Sequence, residues 1–411
     1  MPLFKPFKAI RPAEGRAERI SALPYDVMNR AEAKEMGADP LSFLHISRSE
    51  IDLGDSVDPY SPEVYKAAHD NLYRMLDEGS FLQDDSPFFY IYREVMDGRA
   101  QTGVVGCASI DDYTGGRIKK HELTRVEKEI DRINHFDACD AHTEPVFLTY
   151  RNTEALAALI GRITEEQPMY DFTSDDGVRH TLWVVSNPGD IDFFESELGK
   201  IDAFYIADGH HRSASAVKVG LKRRDKAGSF TGDEEFNFFL TVLFPDEDLA
   251  ILPYNRVVRD LAGLSSAEFL EKLRERFDLE ETPEAYAPKA RHEIGMYLDG
   301  QWYILRPKAG WAESGDVVAD LDISILQNEV LGPILKIEDP RTDKRIDFVG
   351  GIRGLSELEK RVGSDMKVAF SMYATTIGEL LSVADAGKIM PPKSTWFEPK
   401  LRSGLFVHSF R

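Results

Sequence analysis

The stretch Ile206-Ala-Asp-Gly-His-His-Arg-Ser213 decides how this chain is read. The apolar run Ala203-Phe-Tyr-Ile-Ala207 has the character of a strand and ends in an acid and a glycine. From about Ser213, small and apolar residues (Ala214, Ala216, Val217, Val219) predict a helix that ends near Gly220. Glycine lets a backbone approach a ligand closely, and a helix N-terminus presents unpaired N–H groups with positive partial charge. Arg212 adds a planar donor matched to phosphate oxygens, and His210, His211 and Ser213 add further donors. The pattern predicts an anion-binding loop over Asp208–Ser213, in which Asp208 orients the loop or a metal. A capped turn with a pair of surface histidines is the plainer reading of the same residues.

A second group of polar residues lies upstream, in His121-Glu122-Leu-Thr124 with Glu127, Asp131 and Arg132. A charged helix is expected over Lys119–Arg132, following a turn at Gly115-Gly116, and would set Glu127 beside Asp131. A carboxylate near an anion loop can serve as a general base or hold Mg²⁺. The same charges also read as a solvated helix face. No HExxH occurs, which excludes a zincin. The histidines at 121, 135, 142, 210 and 211 leave a metal site assembled in space open.

Outward from these motifs the chain alternates strands and helices. PLFKPFKAIRP reads as an edge strand, and Ala22–Val27 as a turn into a helix. Ser61-Pro62 opens a helix with Val64, Ala67, Ala68, Leu72 and Leu76 on one face, ended by Gly79. Phe88–Val95 and Gly103–Ile110 predict a hairpin turning at Asp97-Gly98. Further strands are expected at Pro145–Tyr150, Thr181–Val185 and Phe238–Phe244. A composition break at Pro245-Asp-Glu-Asp248 divides the chain into residues 1–248, with the motifs in 119–220, and a C-terminal α+β domain over 249–411. That domain is expected to hold a strand at Ala250–Val258, a helix at Ser265–Phe277, a hairpin at Glu293–Leu305, a helix around Ile323–Leu335 and a last strand at Gly404–His408.

Composition narrows the function classes. The 411 residues are 42% hydrophobic and 29% charged, as in a soluble globular protein. Fifty basic residues against 71 acidic ones give a formal net charge of −21, which disfavours nucleic acid as a partner. No apolar stretch reaches the ~20 residues needed to span a bilayer, and no secretory leader is evident. Cys107 and Cys139 form no CxxC, so a reduced cytoplasmic protein is expected. Homodimerisation stays open.

The run Ile206–Arg212 resembles the phosphate loop of the ParB/sulfiredoxin superfamily, in particular that of the free-serine kinases. Pro24-Tyr-Asp-Val27, Ser42-Phe-Leu-His45, His121-Glu-Leu-Thr124, Asp131-Arg132, Ile206–Arg212, Met390-Pro-Pro-Lys-Ser-Thr-Trp-Phe397 and Pro399-Lys400 occur in the order of domain-of-unknown-function family 1015. Over nearly its whole length the chain is similar to that family. Pro253-Tyr254-Asn255-Arg256 departs from the pattern, which has a histidine before the arginine. The resemblance implies an α+β fold: a ParB/sulfiredoxin-like nucleotide-binding core with an N-terminal α/β extension and a C-terminal α+β domain. It also implies phosphoryl transfer between ATP or ADP, with Mg²⁺, and a small hydroxyl-bearing metabolite such as free L-serine. In that scheme His121, Glu122 and Asp208 are catalytic, with Glu122 taking the hydroxyl proton. Asp208–Ser213 holds the nucleotide, Thr124, Glu127, Asp131 and Arg132 hold the acceptor, and Asp208 or Glu127 carries the metal. A nucleotide-gated switch without turnover and a phosphatase or other hydrolase are the competing classes. A sulfiredoxin-like reductase needs a cysteine at the loop, and none is there.

Overall fold

The computed structural model describes residues 1–308 and 314–411, and its architecture is mixed α+β. The chain divides into two compact units, Met1–Leu249 with Pro399–Arg411, and Ala250–Glu398.

A nine-stranded mixed sheet organises the first unit. Its strands are β1 (Phe4–Lys5), β2 (Phe89–Met96), β3 (Arg99–Ser109), β4 (Ile118–Lys119), β5 (Val146–Tyr150), β6 (Tyr170–Thr173), β7 (Arg179–Val185), β8 (Phe204–Asp208) and β9 (Phe238–Pro245). The order is β4-β8-β5-β9-β3-β2-β7-β6, with β1 added to β3. Most pairings are antiparallel; β8 with β4 and β9 with β5 are parallel. The β2–β3 hairpin turns at Asp97 and Gly98, both with positive φ, which matches the twist of the flanking strands. Leu148, Ile206 and Leu243 from three adjacent strands are buried in one apolar core.

Three helices of this unit matter for the site. α1 (Pro62–Asp77) buries Val64, Ala68, Leu72 and Met75 on one stripe. α2 (Val126–Cys139) packs against α1 and against α3 (His210–Ala227). The helix after the loop therefore starts at His210 and runs past Gly220 to Gly228, longer than its apolar spacing predicted. Its later turns are Lys- and Arg-rich and partly solvent-facing, so hydrophobic periodicity fades while the helix continues.

Two expectations for the termini are corrected. PLFKPFKAIRP is not one strand: Phe4–Lys5 joins the large sheet, and Ala9–Pro12 joins a four-stranded sheet with Phe81–Gln83, Val407–Ser409 and Ala141–His142. That small sheet also explains why Pro399–Arg411 belongs to the first unit and not to the C-terminal domain assigned over 249–411. Strand pairing across hundreds of residues leaves no local trace in sequence.

The second unit contains a six-stranded antiparallel sheet of β10 (Tyr254–Val258), β11 (Phe277–Thr282), β12 (Ile294–Leu298), β13 (Gln301–Pro307), β14 (Ile346–Gly350) and β15 (Val368–Met372), ordered β11-β13-β12-β15-β10-β14. Pro253 separates β10 from a short strand at Ile251–Leu252, so the single strand expected there is broken. Ser265 and Glu268 form a reciprocal cap on the helix Ser266–Arg276. The helix expected around Ile323–Leu335 is Asp322–Leu326 followed by a π-helical turn, Gln327–Leu331. Among the described residues no helix is long and apolar enough to cross a membrane.

Leu148 is fully buried in the strand beside β8, so Leu148→Ala removes core contacts at the edge that carries the loop. The expected cost is ~2–5 kcal/mol in urea unfolding; a change below measurement error would show that this sheet is not the core of the unit.

Candidate functional site

Strand β8 ends at Asp208 across a register shift between Ile206 and Asp208. Gly209 follows with φ +89°, and α3 begins at His210. Only glycine adopts this conformation at low cost. A Cβ there would also lie 3.1 Å from Arg212 Nε and 3.3 Å from its Cζ. The guanidinium thus stands directly over the glycine, beside the first turn of α3, whose amides have no intrahelical acceptors.

Arg212 is only 3% exposed. Its Nη1 donates to the Pro145 carbonyl at 2.6 Å and its Nη2 lies 3.9 Å from Asp208 Oδ2, whereas the buried Nε–H has no hydrogen-bond partner among the described residues. Burial works against its charge, but Asp26, Asp208 and Glu144 outweigh it and raise the pKa further. Asp208 also accepts from the Gly209 amide at 2.9 Å and from Lys400 Nζ at 3.2 Å. Burial alone would raise the pKa of this carboxylate; Lys400 and Arg212 reverse the sign and hold it well below the usual range. Asp208 is therefore an anion between two cations.

The two histidines do not act as cationic donors. The Arg125 amide donates to His211 Nε2 at 2.9 Å, and the His121 amide donates to His210 Nε2 at 3.5 Å. An amide can donate only to an unprotonated ring nitrogen, so both rings are neutral with the proton on Nδ1. Burial acts in the same direction, depressing His210 well below its ordinary value and lowering His211. His210 Nδ1 then faces Glu122 Oε2 at 3.7 Å. The His121 ring packs edge-on against His210, with centroids 4.5 Å apart, and burial brings it down to about 4. The His-His pair is thus a clamp that holds the 121–125 segment against the start of α3.

That segment is not helical. Lys119 pairs in β4, residues 120–125 form an irregular connection with a bend at Glu122, and α2 starts at Val126. His121 and Glu122 therefore reach the loop from a strand end, with the Glu122 side chain 44% exposed. Thr124 Oγ donates to Glu129, which also receives Lys218. Glu129, not Glu127, is the first-turn carboxylate of this helix that is tied to α3.

The residues expected to hold an acceptor are mostly engaged elsewhere. Arg132 is buried, 3.0 Å from Asp131 and 3.4 Å from Glu144, with its guanidinium 3.9 Å above the Tyr25 ring. Asp131 also accepts from the Tyr65 hydroxyl at 3.1 Å. A charge on the inward face of a helix must be matched internally, and Asp131 and Glu144 do so; neither Asp131 nor Arg132 is presented to solvent. Glu127 is exposed and, among the described residues, not bonded to the loop. No cluster of three or more metal-ligating side chains occurs among the described residues, so the histidines at 121, 135, 142, 210 and 211 do not assemble a metal centre. Of the other charged neighbours, Glu144 carries no signal in the sequence. Lys400 and the exposed Asp26, whose charge acts on both Arg212 and His211, belong to the short proline-flanked motifs Pro399-Lys and Pro24-Tyr-Asp that the sequence does mark.

Fold and site together define an α+β protein in which a strand–glycine–helix loop with a buried arginine lies next to a carboxylate. The chain belongs to the family described as protein of unknown function (DUF1015), whose profile matches residues 4–324. No functionally curated protein matches it. Similar solved structures include a free serine kinase in complex with AMP, at 14% identity and TM-score 0.35, covering 74% of this chain and 92% of that one. A conserved hypothetical protein from Pyrococcus furiosus has 17% identity and TM-score 0.33, with 74% and 95% covered. A C-terminally truncated SbnI from Staphylococcus aureus has 12% identity and TM-score 0.38, with 74% and 87% covered. The functional reading rests on the chain's own residues.

The neutral histidines make stability pH-dependent in a defined direction. His121, His135, His142 and His210 have folded-state pKa values below the ordinary 6.5 because of burial. The unfolded chain then binds more protons below that value, so stability falls as pH drops through 6.5 and continues to fall toward about 4, the value for His121. Each such ring costs about 1.4 kcal/mol per pH unit within its window. Melting curves from pH 7.5 down to 5, where ordinary carboxylates are still charged, should show this decline; a flat melting temperature would show that the rings titrate normally.

Proposed function

We propose that the chain is a nucleotide-dependent phosphotransferase acting on a small hydroxyl-bearing metabolite, with ATP or ADP as nucleotide and free L-serine as acceptor. In this reading the nine-stranded unit contains a ParB/sulfiredoxin-like nucleotide-binding core, and Asp208–Ser213 is its phosphate loop. The observation that carries it is the unpartnered Arg212 Nε–H, buried directly over the left-handed Gly209 at the mouth of α3. A buried cationic donor without an acceptor is costly, and an oxyanion seated against the first-turn amides supplies one.

The bound nucleotide supplies the phosphoryl group. The protein's part is positioning and neutralisation, which carry most of the catalysis of phosphoryl transfer. First-turn amides and Arg212 receive the phosphate oxygens, while Asp208 holds Arg212 and Lys400 in register. Glu122, partly exposed and steered by the His210 Nδ1–H, takes the proton of the attacking hydroxyl. His121 and His211 position the 121–125 segment and stay neutral. Mg²⁺ commonly takes one or two carboxylates and completes its shell with phosphate oxygens and water. Asp208 is already engaged by two cations and Glu127 stands apart, so the protein's side chains do not fit a resident metal, and no step is assigned to one.

Purified protein with L-serine, Mg²⁺ and a panel of nucleotides should form O-phosphoserine, detected by mass spectrometry, and should run the reverse reaction with ADP. Glu122→Gln should lower turnover by about 10²–10⁴ while leaving nucleotide affinity nearly unchanged. Absence of phosphoserine with every nucleotide, or full activity in Glu122→Gln, would falsify the assignment. Tight nucleotide binding without turnover would point to a switch, and phosphate release without nucleotide to a hydrolase.

A further inference from the structure

The second unit holds a cavity of about 260 Å³ that the phosphotransfer reading does not use. One wall is Arg256 of β10, only 2% exposed. Its guanidinium donates to the carbonyls of Tyr254 and Pro392 and, at 2.9 Å, to that of Lys393, and lies 5.5 Å over the Phe348 ring. Among the described residues it meets no carboxylate. Burial without a counter-charge pulls its pKa down to about 9, and it remains a cation at neutral pH. A charge placed this deeply is ordinarily paired, and here the cavity lies where its partner would be.

The opposite polarity lines the same cavity. Gln327 opens the π-helical turn, an irregularity often found at functional sites. Its Nε2 donates to the Ile337 carbonyl at 2.8 Å, but its buried Oε1 has no donor. Glu338 stands nearby: a Cβ placed on Gly332 would lie 3.9 Å from Glu338 Oε2 and 3.8 Å from Gln327 Nε2. Asp339, by contrast, is held on both oxygens by Arg341 at 2.9 Å. Ile323, Leu331 and Phe348 supply apolar surface between these groups.

We propose that this cavity binds a small α-amino acid with an apolar side chain, its carboxylate on Arg256, its ammonium between Gln327 Oε1 and Glu338, and its side chain against Phe348 and Ile323. A simple anion would satisfy Arg256 but leave Gln327 Oε1 without a donor and set Glu338 against a like charge. A zwitterion answers all three demands, and a cavity of this volume has room for an amino acid. The site stands independently of the phosphotransfer reading.

Calorimetric titration of the full chain with L-leucine tests this. One-to-one binding is expected, together with a rise of several degrees in melting temperature at saturation. Isocaproate, which lacks the ammonium, and isoamylamine, which lacks the carboxylate, should each bind at least about tenfold more weakly. Glu338 is exposed, so Glu338→Gln should fold normally and lose about tenfold or more in affinity; Arg256→Gln should abolish binding. The proposal is overturned if neither L-leucine nor L-alanine, L-valine or L-methionine binds, if isocaproate matches L-leucine, or if Glu338→Gln binds unchanged.

Discussion

Asp208 is the point to which the rest of the loop is tied. A carboxylate partly withdrawn from water is held as an anion where cations and N–H donors replace the lost hydration, and Lys400, Arg212 and the Gly209 amide do so. Each of these contacts places a different part of the chain. The Gly209 amide is folded back on the strand end, Arg212 is held across the first turn of α3, and Lys400 is brought from the chain's last segment. The small four-stranded sheet is what returns that segment to the first unit. A motif that is continuous in sequence is thus completed by a lysine almost two hundred residues away.

The parts of this arrangement that follow local rules were legible. Strand, glycine turn and helix appear in the order in which an apolar run, Asp208-Gly209 and the small residues after Ser213 announce them, and the Asp97-Gly98 hairpin has the positive-φ pair its sequence requires. Extents were harder to read. The helix outlasts its apolar stripe because Lys222, Arg223 and Arg224 find carboxylate partners at Asp137, Asp140 and Asp111, an ion-pair support invisible to hydrophobic periodicity. The charges of His121–Thr124 suit a helix; pairing of Lys119 with Tyr205 makes the segment an irregular connection after a strand instead. Roles were hardest. Arg132 has every property of a carboxylate receptor, and the fold commits it to Asp131 and Glu144. Arg256, in the segment that departs from its family's pattern, is a buried cation that meets no acid among the described residues.

Charge separates the site from the surface around it. The whole chain carries −21, yet the loop region collects Arg212 and Lys400 around a single engaged carboxylate. An acidic exterior repels polyanions at long range, but its reach is limited to roughly 10 Å at ordinary ionic strength. A buried guanidinium acts at contact distance and in a medium of low polarity, where its attraction for an oxyanion is much larger than in water. On the proposed reading the two are compatible: the net negative charge disfavours a polyanion at long range, while the loop offers donors to a small anion at contact distance.

The neutral state of the histidines follows from the same economy of charge. Had His210 and His211 been protonated, the loop would gather two more positive charges beside Arg212 and Lys400, whose charge Asp208, Asp26 and Glu144 already answer. Neutral rings avoid that repulsion and gain a second use, since an unprotonated Nε2 can receive the amides of His121 and Arg125. The proton left on His210 Nδ1 then points at Glu122. A neutral ring orients the carboxylate without adding a full charge of its own beside it. In the proposed phosphotransfer Glu122, partly exposed at this position, is the group that takes the hydroxyl proton.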